Sequence, residues 1–260
     1  MEAVKQIKVL RVKDGVAAES AESVILEHRL FIDVNGQRKA DLIVLPQNLE
    51  ELAIGHLYCS GIIRSIDDIA EMSVDAKLKT VSIKTSFSPN AGDDGDSEPG
   101  GFFCQCFQYF RVSCALSPDP IPDGPVFPLA GILSAMELFL KKSEVFANTG
   151  AVHSCAILAD NQFLHFMEDI GRHNALDKTI GAALKAGTPL DRSVVLTSGR
   201  LPSDMMSKVV YSRVPVVVSR AAPTSASLEL AERCNVTLCG FARENRINIY
   251  TGRERLAHDG

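Results

Sequence analysis

Residues 162–187 read QFLHFMEDIGRHNALDKTIGAALKAG, and this stretch decides the fold class. The apolar run over 162–168 predicts a buried strand, and the apolar spacing over 175–186 predicts a helix. Asn174 is placed to act as the N-cap of that helix, and Gly187 follows its last turn, where glycine is a common terminator. A strand that passes through a short polar loop into a helix is the basic unit of an α/β sheet.

The same order of strand, loop and helix continues on both sides of this stretch. It predicts a mainly parallel sheet with helices on both faces, in which only the first two strands, joined by Asp160 and Asn161, form an antiparallel hairpin. Ser203 and Thr224 are the expected N-caps of the two later helices. The predicted strands are 151–159, 162–168, 193–197, 215–219 and 236–241, and the predicted helices are 175–186, 204–213 and 225–234.

Two breaker-rich stretches divide the chain. SPNAGDDGDSEPGG (88–101) is too polar to bury a core, and SPDPIPDGPVFP (117–128) contains five prolines, which exclude regular helix. We therefore predict a small α+β domain over 1–116, ending in a mobile cysteine-bearing loop (88–116), and an α/β domain over 117–260. The first domain is predicted to contain strands at 24–26, 28–34, 40–45 and 81–85 and a helix at 48–60, and an amphipathic helix is predicted at 129–142.

Composition excludes several functional classes. The chain has 260 residues and a net charge of −5, which disfavours general duplex binding because that depends on neutralising phosphates. No apolar run reaches the length of a membrane span, and no charged and apolar leader opens the sequence. Seven cysteines at irregular spacing favour reduced thiols in the cytoplasm, one or two of them used chemically.

Five arginines lie just beyond the carboxyl ends of the predicted strands of the second domain, where they should converge. In an open α/β sheet, ligands sit beyond the carboxyl ends of the strands, where helix N-termini also present free amides. Guanidinium groups together with helix N-termini are typical of phosphate sites, so a ligand with several phosphates is expected. The alternative is that some of these arginines are paired with Glu168, Asp169 or Glu244. The five are Arg172, Arg200, Arg220, Arg243 and Arg246.

Two histidines lie near strand and loop boundaries of this domain. His153 is better explained as a hydrogen-bonded structural residue, whereas His173, between Arg172 and Asn174 at a helix start, is expected to contact the ligand. Asp169 is a candidate to orient His173 or to balance Arg172. The cysteine and histidine spacings of structural zinc sites and zinc deaminases are absent, so no intrinsic metal is expected.

Cys104 and Cys106 are candidate nucleophiles, because a thiol on an exposed loop near a cation such as Arg111 can ionise. They are equally well explained as packing residues among the phenylalanines of 102–110. Cys59, Cys155, Cys234 and Cys239 lie in apolar patterns and are interpreted as inert core thiols; Cys114 is undecided.

Several motifs closely resemble the formate dehydrogenase accessory sulfurtransferases, the FdhD family. They are NTGAVHSC (148–155), EDIGRHNALDK (168–178), TSGR (197–200), MMSK (205–208), SRAAPTS (219–225) and GFAR (240–243), with a looser match at SGIIRSIDDI (60–69). The resemblance implies transfer of persulfide sulfur from a cysteine desulfurase to the molybdenum (or tungsten) bis(molybdopterin guanine dinucleotide) cofactor, for delivery to formate dehydrogenase. It also implies a cytoplasmic homodimer whose larger domain is similar to the cytidine deaminase fold without its zinc.

The resemblance also assigns residues. The family's cofactor-binding hexapeptide falls on Phe241, Ala242, Arg243, Glu244, Asn245 and Arg246, and its guanine dinucleotide ligand agrees with the polyphosphate site expected from the arginines, to which His173 and Asn174 are added. The family loop reads CGxCG, whereas this chain has Cys104-Gln105-Cys106-Phe107, so the persulfide carrier is either Cys104 or Cys106. The alternative function is a cofactor-binding chaperone that does not transfer sulfur.

Overall fold

The computed structural model of the chain describes residues 3–77, 79–86, 119–160 and 162–257. The strands are β1 (Val4–Lys13), β2 (Val16–Ile25), β3 (His28–Val34), β4 (Gln37–Val44), β5 (Ile69–Asp75), β6 (Thr80–Thr85), β7 (Phe127–Pro128), β8 (His153–Ala159), β9 (Gln162–Asp169), β10 (Ser193–Thr197), β11 (Val216–Ser219), β12 (Thr237–Arg243), β13 (Arg246–Ile249) and β14 (Leu256–Ala257). The helices are α1 (Leu49–Cys59), α2 (Leu129–Lys142), α3 (Glu144–Thr149), α4 (Arg172–Lys185), α5 (Ser203–Tyr211) and α6 (Ser225–Arg233).

The central sheet has six strands in the order β13, β12, β11, β10, β8, β9. A mixed α/β fold is therefore confirmed, but the expectation of mainly parallel pairing is wrong: only β10 with β11 and β11 with β12 pair in parallel. The other three neighbouring pairs are antiparallel. The reason is that β8 and β9, and β12 and β13, are each joined by a two-residue connection, which permits only a hairpin. Even so, β9, β10, β11 and β12 all point the same way.

Helices cover both faces of this sheet, as expected. Alternate residues of the strands face opposite sides, so that Val195 and Val217 join one core cluster with α4, α5 and α6, while Val194 and Val216 join another with α2. Both clusters consist of side chains that are almost fully buried. The amphipathic helix predicted at Leu129–Lys142 is confirmed with those bounds.

The predicted starts of two helices are wrong, and that of the third is right. α4 begins at Arg172 rather than Ala175, with Gly171 as its N-cap, because the Asn174 side chain is buried in other hydrogen bonds. α5 begins at Ser203, which places Pro202 at its N-cap. Thr224 does cap α6, where it forms a capping box with Ser227.

The N-terminal part contains a four-stranded sheet in the order β4, β3, β6, β5, and α1 packs on one of its faces. Asn35 and Gly36 form the hairpin turn between β3 and β4, and both residues have positive φ values, 50° and 80°. β5 was not predicted. The boundary placed between 116 and 117 lies outside the described residues and stays a prediction.

Helix α1 crosses α4 with the two backbones in contact. A methyl group added to Gly181 would lie 2.9 Å from the backbone nitrogen of Gly55 and still closer to the carbonyl oxygen of Glu51. One added to Gly55 would overlap the carbonyl of Asp177 in the same way. Glycine at both positions therefore allows the helix of the N-terminal part to pack directly against the α/β part.

The first two strands form a separate two-stranded ribbon, of which only 24–26 was predicted. Ten residue pairs join β1 to β2 around a turn at Asp14 and Gly15, which have φ values of 52° and 78°. Most of the ribbon is exposed, including Leu10, Val12 and Val16 at 64–70%. An Asp-Gly pair between alternating apolar residues is the signal that could have revealed it.

Candidate functional site

The carboxyl ends of β9 to β12 meet at one edge of the central sheet, as expected. The register places His153 opposite Asp169 and Thr197 opposite Ser219, and the amide of Phe241 donates to the carbonyl of Ala221. We call this edge the rim and define it by the loops that leave these strands and by the start of β8. Its segments are 153, 169–173, 198–202, 220–224 and 241–246.

Arg172 and His153 converge over Gly199 within the rim. A methyl group added to Gly199 would lie 3.1 Å from Cβ of Arg172 and 3.6 Å from Nδ1 of His153, so glycine leaves room for both side chains. The Nε atom of Arg172 is buried and has no hydrogen-bond partner in the described structure. A buried guanidinium donor left unpaired is costly, and an anion bound at this point would satisfy it.

No carboxylate of the described residues forms an ion pair with any of the five rim arginines. The alternative explanation, pairing with Glu168, Asp169 or Glu244, is therefore wrong for the described chain. Glu168 instead accepts hydrogen bonds from Ser143 and Ser154. Arg172 is half-buried, and the other four arginines, Arg200, Arg220, Arg243 and Arg246, are exposed at the rim.

The hairpin between β12 and β13 places two arginines side by side. Arg243 and Arg246 are direct cross-strand partners around a turn at Glu244 and Asn245, which both have positive φ values, 51° and 58°. Like charges directly opposite each other are unfavourable. Phe241, at the bulge before the turn, has a φ of 52°, which is strained for a bulky residue. Both features are typical of a ligand-binding segment.

His173 is oriented by Asp204, a residue that the sequence analysis missed. Nε2 of His173 lies 2.9 Å from Oδ2 of Asp204, which is ion-pair distance, although Nε2 has no well-angled hydrogen-bond partner among the described residues. Burial alone would raise the pKa of Asp204, but the neighbouring His173 outweighs it and holds that pKa below its ordinary value. The suggestion that Asp169 orients His173 is therefore wrong.

A second ion pair, one turn further along α4 and α5, follows the pair of His173 and Asp204. Asp177 of α4 accepts bonds of 2.7 and 2.6 Å from Nζ of Lys208 on α5, and Oδ2 of Asp177 is 3.2 Å from Nδ1 of His56 on α1. Burial would raise the pKa of the fully buried Asp177, but the Lys208 and His56 charges lower it overall. His173 and Asp177, like Asp204 and Lys208, are four residues apart, so the two pairs link α4 to α5 along one face.

Asp169 and Asn174 both make structural contacts inside the protein. Asp169 is fully buried and pairs with the equally buried Lys178 at 2.7 Å. It also accepts from the amides of Leu45 and Gly171 and from the side chain of Asn174. The Asn174 amide donates in addition to the carbonyl of Ile43, so both residues tie the end of β4 to the α/β part.

Cys104, Cys106, Cys114 and Arg111 lie outside the described residues. Cys59, Cys155, Cys234 and Cys239 are buried, as expected for core thiols, and burial raises the pKa of Cys59, Cys155 and Cys239 to about 12. A thiol with so high a pKa is a poor nucleophile at neutral pH.

The residues that carry Cys104, Cys106 and Cys114 precede Asp119, where the described chain resumes at a distance from the rim. The carbonyl of Asp119 accepts from Arg213, and Ile121 donates to the carbonyl of Cys234. Buried Arg255 donates to the carbonyl of Pro122 as well. Arg213 precedes β11 and Cys234 precedes β12, so this anchor lies at the sheet edge opposite the rim.

Within the described ranges, no three histidine, cysteine or acidic side chains are grouped as a metal site would require. No helix in the described part of the chain is both long and apolar enough to span a bilayer.

Comparison with known proteins places these features in a family context. The model of the FdhD/NarQ family matches residues 25–257. The sulfur carrier protein FdhD of Listeria innocua is 34% identical and that of Methanothermobacter thermautotrophicus 31% identical; each match covers 98% of this chain and 100% of the relative. A crystal structure of a formate dehydrogenase accessory protein from Desulfotalea psychrophila superposes with a TM-score of 0.80 at 28% identity, covering 98% of this chain and 100% of that one.

Proposed function

Because this chain belongs to the FdhD/NarQ family, we propose that it is a sulfurtransferase that carries persulfide sulfur from a cysteine desulfurase to a molybdenum bis(molybdopterin guanine dinucleotide) cofactor. The sulfurated cofactor would then serve formate dehydrogenase. The names of the relatives, sulfur carrier protein and formate dehydrogenase accessory protein, support both parts of this proposal. We further propose that it works in the cytoplasm as a homodimer, with a cytidine-deaminase-like domain over 117–260.

The observation that carries the proposal is the buried, unpaired Nε of Arg172 within a rim whose five arginines have no described carboxylate partner. A set of cations without counter-charges is suited to a ligand with several phosphates, because each guanidinium can bind a phosphate through a charge-assisted fork. The two phosphorylated guanosine arms of the cofactor, which is here a substrate rather than a resident group, have this chemistry.

The rim arginines would bind different parts of the ligand, according to their positions. Arg172 and Arg200 would hold phosphates near the starts of α4 and α5, where free backbone amides also face the rim. Arg243 and Arg246 would bind between them an anion that relieves their mutual repulsion. Arg220, on the loop between these two groups, would bridge them.

Loading of the carrier needs no outside oxidant. The thiolate of Cys104 or Cys106 attacks the outer sulfur of the desulfurase persulfide, the sulfur–sulfur bond of the donor breaks, and the donor cysteine leaves as a thiol. The sulfane sulfur keeps its oxidation state. The 32 residues between Ser86 and Asp119 are long enough, at about 3.3 Å per extended residue, to reach from the anchor of the loop to the rim.

The carrier is tested by mass spectrometry after incubation with a cysteine desulfurase and cysteine. We expect a mass gain of one sulfur atom that is lost on reduction, and we expect it to disappear in either Cys104→Ser or Cys106→Ser. Cys114→Ser is the control and should retain the gain. If no cysteine of the segment gains sulfur while guanine nucleotide still binds, the protein is instead the non-transferring chaperone.

The rim is tested with Arg172→Ala. We expect the dissociation constant for GDP, measured by calorimetry, to rise about 10- to 100-fold, since a charge-assisted hydrogen bond contributes about 1.5–3 kcal/mol. Arg192→Ala is the matched control, because Arg192 is an exposed arginine just before β10, at the opposite edge of the sheet. Equal affinities for the two variants would contradict the proposed rim.

A further inference from the structure

His153 lies beside Arg172 at the rim, within the electrostatic influence of Arg200 and His173. Nδ1 of His153 faces the same small space above Gly199 as the side chain of Arg172. Arg200, on the loop after β10, and His173, on α4, add further positive potential at this point. The ring of His153 is half-buried and makes no hydrogen bond to any other described residue. The interpretation of His153 as a hydrogen-bonded structural residue therefore has no support in the described contacts.

The acidic groups near His153 are already engaged elsewhere. They are Glu168 and Asp169 on the neighbouring strand β9 and Asp204 at the start of α5, and they bind Ser143 and Ser154, Lys178, and His173 respectively. Among the residues that the structure describes, no carboxylate is therefore left to favour a charged His153. Burial, and then the charges of Arg172, Arg200 and His173, lower the pKa of His153, so that the ring is neutral at neutral pH.

On the basis of the proposed function, we propose that His153 is a further anion-binding residue: it is neutral in the ligand-free protein, takes up a proton as the phosphorylated ligand binds, and then contacts the ligand as a cation. The phosphates neutralise Arg172 and Arg200 and so remove the repulsion that disfavours the imidazolium. Binding of the ligand and binding of the proton thus favour each other.

This coupling has a defined sign. The ligand raises the pKa of His153, so binding takes up protons at any pH between the pKa values of the free and the bound protein. Affinity therefore rises as the pH falls through that window. If the ligand raises the pKa of His153 by one, linkage makes the ligand bind about tenfold more tightly at a pH below both pKa values than at a pH above both.

The experiment is calorimetric titration of GDP into the full-length protein between pH 5.5 and pH 8, in buffers with different heats of ionisation, which gives the number of protons taken up. The same titration is carried out with His153→Asn. Ionisation of the GDP phosphate contributes equally to both proteins, so it is absent from the difference between their proton uptakes. We expect the unmodified protein to take up more protons than the variant. We also expect its affinity to increase more on acidification, by up to about tenfold if the ligand raises the pKa of His153 by one.

The matched control is His165→Asn. His165 also has a pKa lowered by burial, but it bonds Thr188 beyond the far end of α4, and no arginine contributes to that lowering. It should behave like the unmodified protein. If His153→Asn does not fold, as judged by circular dichroism, His153→Gln replaces it.

The outcomes separate the two proposals. Equal proton uptake in the unmodified protein and the His153 variant, with GDP still bound, would overturn the role of His153 and leave the proposed function intact. If GDP does not bind the unmodified protein at any pH, the proposed function itself is contradicted.

Discussion

Replacing Gly181 with alanine is expected to destabilise the protein by more than about 3 kcal/mol, the upper end of ordinary overpacking. The added methyl group has no space, because it would overlap the carbonyl of Glu51 and approach the backbone nitrogen of Gly55 to 2.9 Å. The helices α1 and α4 would have to separate, which would open the buried contacts between them. The free energy of unfolding, measured with urea, and the yield of soluble protein test this expectation.

The expected loss of stability in Gly181→Ala is opposite in direction to the usual effect of this substitution. Within an exposed helix, replacing glycine by alanine normally stabilises by about 1 kcal/mol. Gly124→Ala, at an exposed position outside the helices, is the control, since a methyl group there would meet nothing nearer than the carbonyl oxygen of Pro122 at 3.9 Å. If Gly181→Ala matched the control or raised the stability, the direct contact between α1 and α4 would be wrong.

Replacing Lys178 with methionine is expected to cost about 3–5 kcal/mol, the range for removing one partner of a buried ion pair. Its ammonium group is fully buried and bonds Asp169, the carbonyl of Leu45 and the carbonyl of Glu168. Methionine fills a similar volume but leaves Asp169 charged and buried without its counter-ion. The free energy of unfolding at neutral pH measures this effect.

Lys185→Met on the same helix is the matched control. Lys185 pairs with Glu50 and Glu51, but its side chain is 34% exposed, and an exposed pair contributes no more than about 1 kcal/mol. We expect Lys178→Met to be far more destabilising than Lys185→Met. Similar losses in the two variants would mean that the Lys178 pair does not hold the two parts of the chain together.

The sequence predicts elements well where burial imposes a pattern on them. The strand His28–Val34 and the helix Leu129–Lys142 were located because one face of each is apolar and buried. The ribbon of β1 and β2 was largely missed because exposed strands need no apolar face, and the Ala, Glu and Ser residues of β2 do not favour a strand. Its turn at Asp14 and Gly15 carried the only clear signal.

The rim could be predicted for a topological reason. Strands that alternate with helices bring their carboxyl ends to one edge, so Arg172, Arg200 and Arg220 were expected to meet without knowledge of the side-chain positions. The partners of His173 and Asp177 could not be predicted, because they lie on another helix. A weak signal was present, since His173 and Asp177 are matched by Asp204 and Lys208 at the same spacing and with opposite charges.

The exposed ribbon has a consequence for the behaviour of the protein in solution. Within the described residues, β1 pairs only with β2, which leaves its other edge free, and an apolar free edge is a template for aggregation. Lys5, Lys8, Arg11 and Lys13 are spaced along this strand, where their repulsion opposes intermolecular strand pairing. Acetylation of the three lysines of β1 would remove this local repulsion, and we expect it to increase pairing of β1 with other molecules while the folded core stays intact.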